Sequence, residues 1–220
     1  MSYELLTTYD GSITLKDFTT GETYHSIHGA RSESLHVFIN NGLKLKKNNV
    51  HLNIFEMGFG TGLNAMLTYF EKSPSQSIYY EAIDVFPLPE EVFNKITKQF
   101  IHENEKECYL KIMKSDWNIP VQISELFTLH KRMIDFKEYS FLTLFDLVYF
   151  DAFSPKNQPE LWTTELLTKI FNGMNHNSVF VTYACTGLVK RNLREAGFEV
   201  QRLSGAPPKR HMIRAIKKIK

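Results

Sequence analysis

The sequence predicts an α/β fold: one mostly parallel sheet, helices on both of its faces, and an antiparallel hairpin at the C-terminal end. Three observations predict it. From residue 50 onward, short apolar runs alternate with stretches of helical period, the pattern of parallel strands joined by crossover helices. A glycine-rich turn, Gly58-Phe59-Gly60-Thr61-Gly62, joins the first run to the first helical stretch. Later runs end in acids: Asp84, Asp135 and Asp151.

With 220 residues the chain suits one well-buried domain. Residues 1–49 read as an N-terminal extension that packs on a main domain of residues 50–220. In the extension, Asp10-Gly11 between Thr7-Thr8-Tyr9 and Ser12-Ile13-Thr14-Leu15 predicts a hairpin. Ser32 to Phe38 predicts a short helix. In the main domain, Leu52–Phe55 is a buried strand, and Leu63, Met66, Leu67 and Phe70 mark one face of the helix after it. Ile78–Ile83 is the second strand, closed by Asp84. Pro89 with Glu90 and Glu91 starts a helix, because proline lacks a donor that the first turn does not need and acids suit the positive helix end. Val92, Ile96 and Phe100 form its inner face. Leu126–Leu129 and Arg132–Ile134 are two strand pieces before Asp135. Phe145–Phe150 is a buried strand ending in Asp151. Pro159 opens a helix with Trp162, Leu166, Ile170 and Met174 inward. Ser178–Ala184 is the next strand. Leu188–Ala196 is a helix stopped by Gly197. Phe198–Leu203 and His211–Ile216 close the fold as a hairpin.

Composition excludes several classes. No stretch approaches the roughly 20 apolar residues of a membrane helix, and Met1-Ser2-Tyr3-Glu4 opens no secretory pattern. Cys108 and Cys185 have no CxxC partner and read as reduced thiols of a cytoplasmic protein. The eight histidines lack metal-ligand spacing, so no metal is expected. The net charge of +2 hides an asymmetry, since residues 186–220 hold ten Lys/Arg against two acids. A basic end on an acidic body suggests a polyanionic partner; the alternative is a solvated tail.

Open parallel sheets bind ligands beyond the carboxyl ends of their strands. The glycine turn lies there and is preceded by Glu56. A dinucleotide loop would place glycine three residues after Gly60, where Leu63 stands. Glu-x-Gly-x-Gly-x-Gly is instead the spacing typical of enzymes that bind S-adenosylmethionine, with Gly58, Gly60 and Gly62 letting the backbone approach an adenosyl group. Without a ligand it is a tight strand-to-helix turn. Asp84 is placed to accept from both ribose hydroxyls; otherwise it is a turn aspartate before Pro87. Asp135 could accept from an adenine amino group, and Asp116 competes for that role. Asp151, bracketed by Phe150 and Phe153, suits an amine acceptor: the carboxylate fixes the nitrogen while rings shape the pocket near a sulfonium. Positioning is expected to outweigh base catalysis, because a carboxylate favours the cationic amine. The bland alternative makes Asp151 a turn cap and the phenylalanines core.

These residues resemble the methyltransferase half of the MnmC-type bacterial enzymes of tRNA 5-methylaminomethyl-2-thiouridine biosynthesis. The resemblance runs from about Gly21 to Ile216. It rests on Glu56-Met-Gly-Phe-Gly-Thr-Gly-Leu-Asn64, Asp84-Val-Phe-Pro-Leu88, Phe150-Asp-Ala-Phe-Ser-Pro-Lys-Asn157 with Pro159-Glu160-Leu161-Trp162, and Lys209-Arg210-His211-Met212. Glu22-Thr-Tyr-His-Ser26 and Glu33 through Leu43 add the family's N-terminal signature. Pro207 and Pro208 stand where the family often has glycine-rich sequence. The resemblance implies a Rossmann-like class I methyltransferase, S-adenosylmethionine as donor, and an aminomethyl group on wobble uridine in the tRNA anticodon stem-loop as acceptor. It implies Glu56, Gly58, Gly60, Gly62, Asn64, Asp84, Asp135 and Asp151 at the cofactor, and Asp151 with Phe153 at the chemistry. The chain shows no second dinucleotide loop, so neither FAD nor the oxidase activity is expected, and a separate flavin oxidase would act upstream. Lys190, Arg191, Arg194, Lys209 and Arg210 are expected to meet the RNA backbone. A small-molecule N-methyltransferase and a polyamine-type aminopropyltransferase are the alternatives; the latter usually has an acid inside the glycine loop, where Phe59 and Thr61 stand.

Overall fold

A computed structural model describes residues 3–218. Two strands, β1 (Tyr3–Thr7) and β2 (Ile13–Asp17), form a small antiparallel sheet of their own, with Leu5 opposite Leu15. Helix α1 (Ala30–Ser34) runs on into a π-helical stretch, Leu35–Asn40. That stretch buries Val37, Phe38 and Ile39 in the same apolar cluster as Leu52 and Ile54.

The main sheet has the order β5-β6-β4-β3-β7-β8-β10-β9. Its strands are β3 (His51–Met57), β4 (Ser77–Asp84), β5 (Pro120–Ser124), β6 (Phe127–Met133), β7 (Phe145–Phe150), β8 (Met174–Thr182), β9 (Glu199–Ser204) and β10 (His211–Lys217). Strands β6, β4, β3, β7 and β8 are parallel neighbours. The hairpin strand β10 pairs antiparallel with both β8 and β9. The chain leaves β3 toward β4 on one side and later returns to β7 on the other, so the switch point of the sheet is the end of β3. Helices α2 (Leu63–Glu71), α3 (Glu90–Ile96), α4 (Glu103–Lys114) and α5 (Thr164–Asn172) lie in crossovers between the parallel strands, residues 134–144 join β6 to β7 without an α-helix, and α6 (Gly187–Glu195) leads from β8 to β9. Side chains alternate across the sheet. Ile54, Tyr80, Leu147 and Val181 face α2 and α4, whereas Phe55, Val148, Phe150 and Phe180 face α5 and α6.

The elements differ from the sequence reading at several points. The two strand pieces around Lys131 are one continuous β6. Its interior lysine is fully buried but satisfied: Nζ donates to the Ile112 and Met113 carbonyls at the end of α4. The helix expected from Pro159 is two. Residues Pro159–Trp162 make a 3₁₀ turn, and Thr163 starts α5 afresh by accepting from the Leu166 amide. Met174 opens β8 instead of ending that helix. Phe70 is exposed, and Phe100 lies past the end of α3. Helix α4 and the antiparallel edge strand β5 were not anticipated. Seven of the twelve residues of α4 are Glu, Lys or Asn, yet Tyr109, Ile112 and Met113 bury one stripe.

Candidate active site

At the switch point lies a cavity of about 490 Å³, within the ordinary size of small-molecule sites. Three strand ends and the N-terminal segment enclose it. The end of β3 supplies the glycine turn. Gly58 and Phe59 amides donate to the Ile83 carbonyl at 3.1 and 3.2 Å, which stitches the turn to the end of β4. Asp84 pins it further: Oδ2 accepts from the Gly60 amide and Oδ1 from the Phe86 amide, each at 2.9 Å. Burial pushes the Asp84 carboxyl up, against these backbone donors. The carboxyl lines the cavity wall.

The glycines are needed for contacts within the protein. Gly58 has φ +88°, and a Cβ there would lie 2.8 Å from the Asp151 carbonyl oxygen. A Cβ on Gly60 would point at the Tyr24 ring at 3.1 Å. Gly62 does not line the cavity. It is the left-handed residue before α2, and its Cβ would meet Met113 Sδ at 2.6 Å. Glu56 also stands apart from the cavity. It is fully buried, and Asn64 Nδ2 donates to its Oε1 at 2.9 Å. Desolvation holds the Glu56 carboxyl well above the usual range, partly offset by Asn64. The same Asn64 amide donates to Asp151 Oδ2 at 2.8 Å. Asn64 therefore ties α2 to Asp151, with Glu56 behind it.

Asp151 lies just beyond β7, its amide donating to the Met57 carbonyl at 2.9 Å. Desolvation pushes its carboxyl up to about 7, against the Asn64 hydrogen bond. The segment after it is held rigidly. Trp162 Nε1 donates to the Phe153 carbonyl at 3.0 Å, Tyr183 Oη to that of Ala152 at 2.9 Å, and Ser154 Oγ to Glu22 Oε1 at 2.8 Å. Phe153 lines the cavity, with its ring edge-on to Tyr24 at 5.4 Å. Asp135 lines the opposite end with Ile134 and Phe136; Asp116 does not.

The N-terminal wall was not assigned a role in the sequence reading. Asp17, Thr23, Tyr24 and His25 line the cavity. Burial pushes the His25 imidazole down to about 4, leaving it neutral near pH 7. The signal for this wall was the Glu22-Thr23-Tyr24-His25-Ser26 segment itself. Of the basic residues, Lys190, Arg191 and Arg194 lie on α6, and none forms an ion pair among the described residues. Arg210 is exposed. Lys209 is half-buried: its Nζ is bound to Glu33 Oε1 at 2.6 Å, while part of the side chain stays exposed.

A model of the S-adenosyl-L-methionine-dependent methyltransferases matches residues 88–218. The chain belongs to that family. The methyltransferase fold agrees with solved structures. Across its full length the chain matches the crystal structure of MNMC2 from Aquifex aeolicus with a TM-score of 0.80 and 28% identity, over 72% of that chain. Spermidine synthase from Thermotoga maritima shares the fold, at a TM-score of 0.64 and 14% identity, over 99% of this chain and 70% of that one. Curated relatives named tRNA 5-methylaminomethyl-2-thiouridine biosynthesis bifunctional protein MnmC are 27% identical in Aeromonas hydrophila and 28% in Chromohalobacter salexigens. Each match covers 88% of this methyltransferase, but only 32% and 30% of the relatives' own lengths. The chain spans about a third of the curated relatives it matches.

Proposed function

We propose that this methyltransferase acts on tRNA, methylating the aminomethyl nitrogen of a modified wobble uridine to give 5-methylaminomethyl-(2-thio)uridine. The observation that carries the reading is the full-length likeness to MNMC2 at a TM-score of 0.80, joined to relatives whose names specify that tRNA modification. A buried acid on the cavity wall suits an amine acceptor, and the basic residues of α6 suit RNA.

When bound, S-adenosylmethionine supplies an electrophilic methyl group on a sulfonium. Asp84 would hold the ribose through its hydroxyls, and Asp135 would hold the adenine through its amino group. Asp151 binds the acceptor nitrogen through the oxygen that Asn64 leaves free. An amine attacks only with a free lone pair, so a proton must leave the ammonium form. A carboxyl near 7 can take that proton at neutral pH, which makes Asp151 a stronger base than an exposed aspartate. Phe153 and Tyr24 close the pocket sides and exclude water. Lys190, Arg191, Arg194 and Arg210 meet phosphates, and an anticodon-loop base enters with little unstacking. A separate flavin oxidase preparing the aminomethyl group would act first.

The test is transfer of a labelled methyl group to bulk tRNA, followed by mass-spectrometric mapping of the modified nucleoside. Label in 5-methylaminomethyluridine at the wobble position is expected. Label in small amines but not in tRNA would overturn the reading, as would aminopropyl transfer from a decarboxylated donor.

A further inference from the structure

Lys209 lies in the turn between β9 and β10, yet its side chain is bound inward. Its Nζ is 2.6 Å from Glu33 Oε1 and 3.9 Å from the centroid of the Tyr183 ring. Glu33, on α1, is 6% exposed, and its other oxygen accepts from the Ser26 amide at 2.9 Å. Tyr183 donates to the carbonyl of Ala152, the residue after Asp151. One ammonium therefore joins α1, the end of β8 and the β9–β10 turn around the backbone that carries Asp151. Glu33 is buried and its charge acts on neighbours more strongly than a surface charge does, whereas the Lys209 side chain is 37% exposed and partly screened.

We propose that Lys209 and Glu33 form a tuning pair for Asp151: the ammonium favours its ionised form, the Glu33 carboxylate opposes it, and their balance sets how readily Asp151 takes the acceptor proton. The proposal rests on Asp151 being the acceptor-side carboxyl. The directions agree with the field at Asp151, which Glu33 raises and Lys209 lowers. The other groups around Asp151 come from every packed element. Asn64 on α2 donates to it, with buried Glu56 of β3 behind. Tyr183 is held neutral by burial and by the nearby carboxylates of Asp151, Glu22 and Glu33. His25 of the N-terminal wall is neutral near pH 7. Asp84 acts on Glu56 from the far side of the turn.

The two partners should shift Asp151 in opposite directions, which a merely structural role would not do. The full chain is labelled with carbon-13 at aspartate carboxyls, Asp151 is assigned with Asp151→Asn, and its titration midpoint is followed by NMR. Lys209→Met should move the midpoint up by about one pH unit and Glu33→Gln should move it down, with Lys209→Arg staying near wild type. The acidic limb of methyl transfer to tRNA should move the same way, with S-adenosylmethionine affinity unchanged. Lys209→Arg and Glu33→Gln preserve size, so they keep the test alive should Lys209→Met fail to fold. Midpoints that stay fixed, or that move together, overturn the proposal. A shallower salt dependence of tRNA binding in Lys209→Met with a fixed midpoint would overturn it and return Lys209 to the RNA face. A wild-type protein that never methylates tRNA would overturn the proposed function alone, since the NMR midpoints are read without substrate.

Discussion

Asp151→Asn should stabilise the fold at alkaline pH while removing activity. Burial raises the Asp151 carboxyl from 3.8 to about 7. The native state then binds that proton more tightly than the unfolded chain does. Stability that is fully present below 3.8 falls as pH rises toward about 7 and is flat above it. A gap of about 3 units at roughly 1.4 kcal/mol each sets a ceiling of about 4 kcal/mol. Asparagine carries no such penalty, and its carbonyl can still accept from Asn64. Urea unfolding of both proteins at about pH 4 and about pH 8 reads the difference. The variant should gain on the wild type by about 2–4 kcal/mol between those conditions, and its methylation rate should fall roughly 100-fold. A stability gap that does not change with pH would refute the claim that Asp151 is a desolvated, proton-retaining carboxyl. Asp84 is also raised but is common to both proteins and cancels; Glu56 is raised in part by Asp151 itself, so its penalty falls in the variant and adds to the difference in the same direction.

Asp84→Asn should weaken S-adenosylmethionine binding by roughly 10-fold to 100-fold, the worth of a charged hydrogen bond; calorimetry showing unchanged affinity would remove Asp84 from the ribose site. Gly58→Ala should abolish transfer and destabilise the protein by more than about 1–2 kcal/mol, since it combines a positive φ with a Cβ that meets the Asp151 carbonyl; a variant with normal melting and normal rate contradicts the packing described. Lys190→Ala with Arg194→Ala should flatten the log-affinity against log-salt slope for tRNA by roughly 0.7 to 0.9 per residue lost, and an unchanged slope restores the solvated-tail reading of this helix.

Much of the frame was legible because its signals are local. The glycine turn, Asp84 and Asp151 sit where strand ends place them, and Gly197 stops α6 as expected. What escaped the sequence depends on partners distant along the chain. Lys131 looked like a break in a strand until the end of α4 supplied its acceptors. Lys209 looked like part of a basic tail until Glu33, far away in sequence, bound it. Glu56 and Gly62 carry the motif but face the interior, so their spacing reported the turn's shape and not its surface. The N-terminal wall runs from Asp17, the last residue of β2, through a segment beyond it that is neither helix nor strand, and only the packing shows that it closes the cavity.

The buried ammonium of Lys131 has a practical consequence. It lies against the rings of Phe59, in the glycine turn, and Trp117, at 5.3 and 4.9 Å from their centroids. Burial lowers its amine to about 8, and this shift is lost on exposure, so once uncovered it reacts as an ordinary lysine does. No amine-directed reagent can reach it while the turn stays closed. Its labelling, followed by mass spectrometry, therefore reports how often the glycine turn opens. The fold carries its own clock for that motion, with no introduced probe.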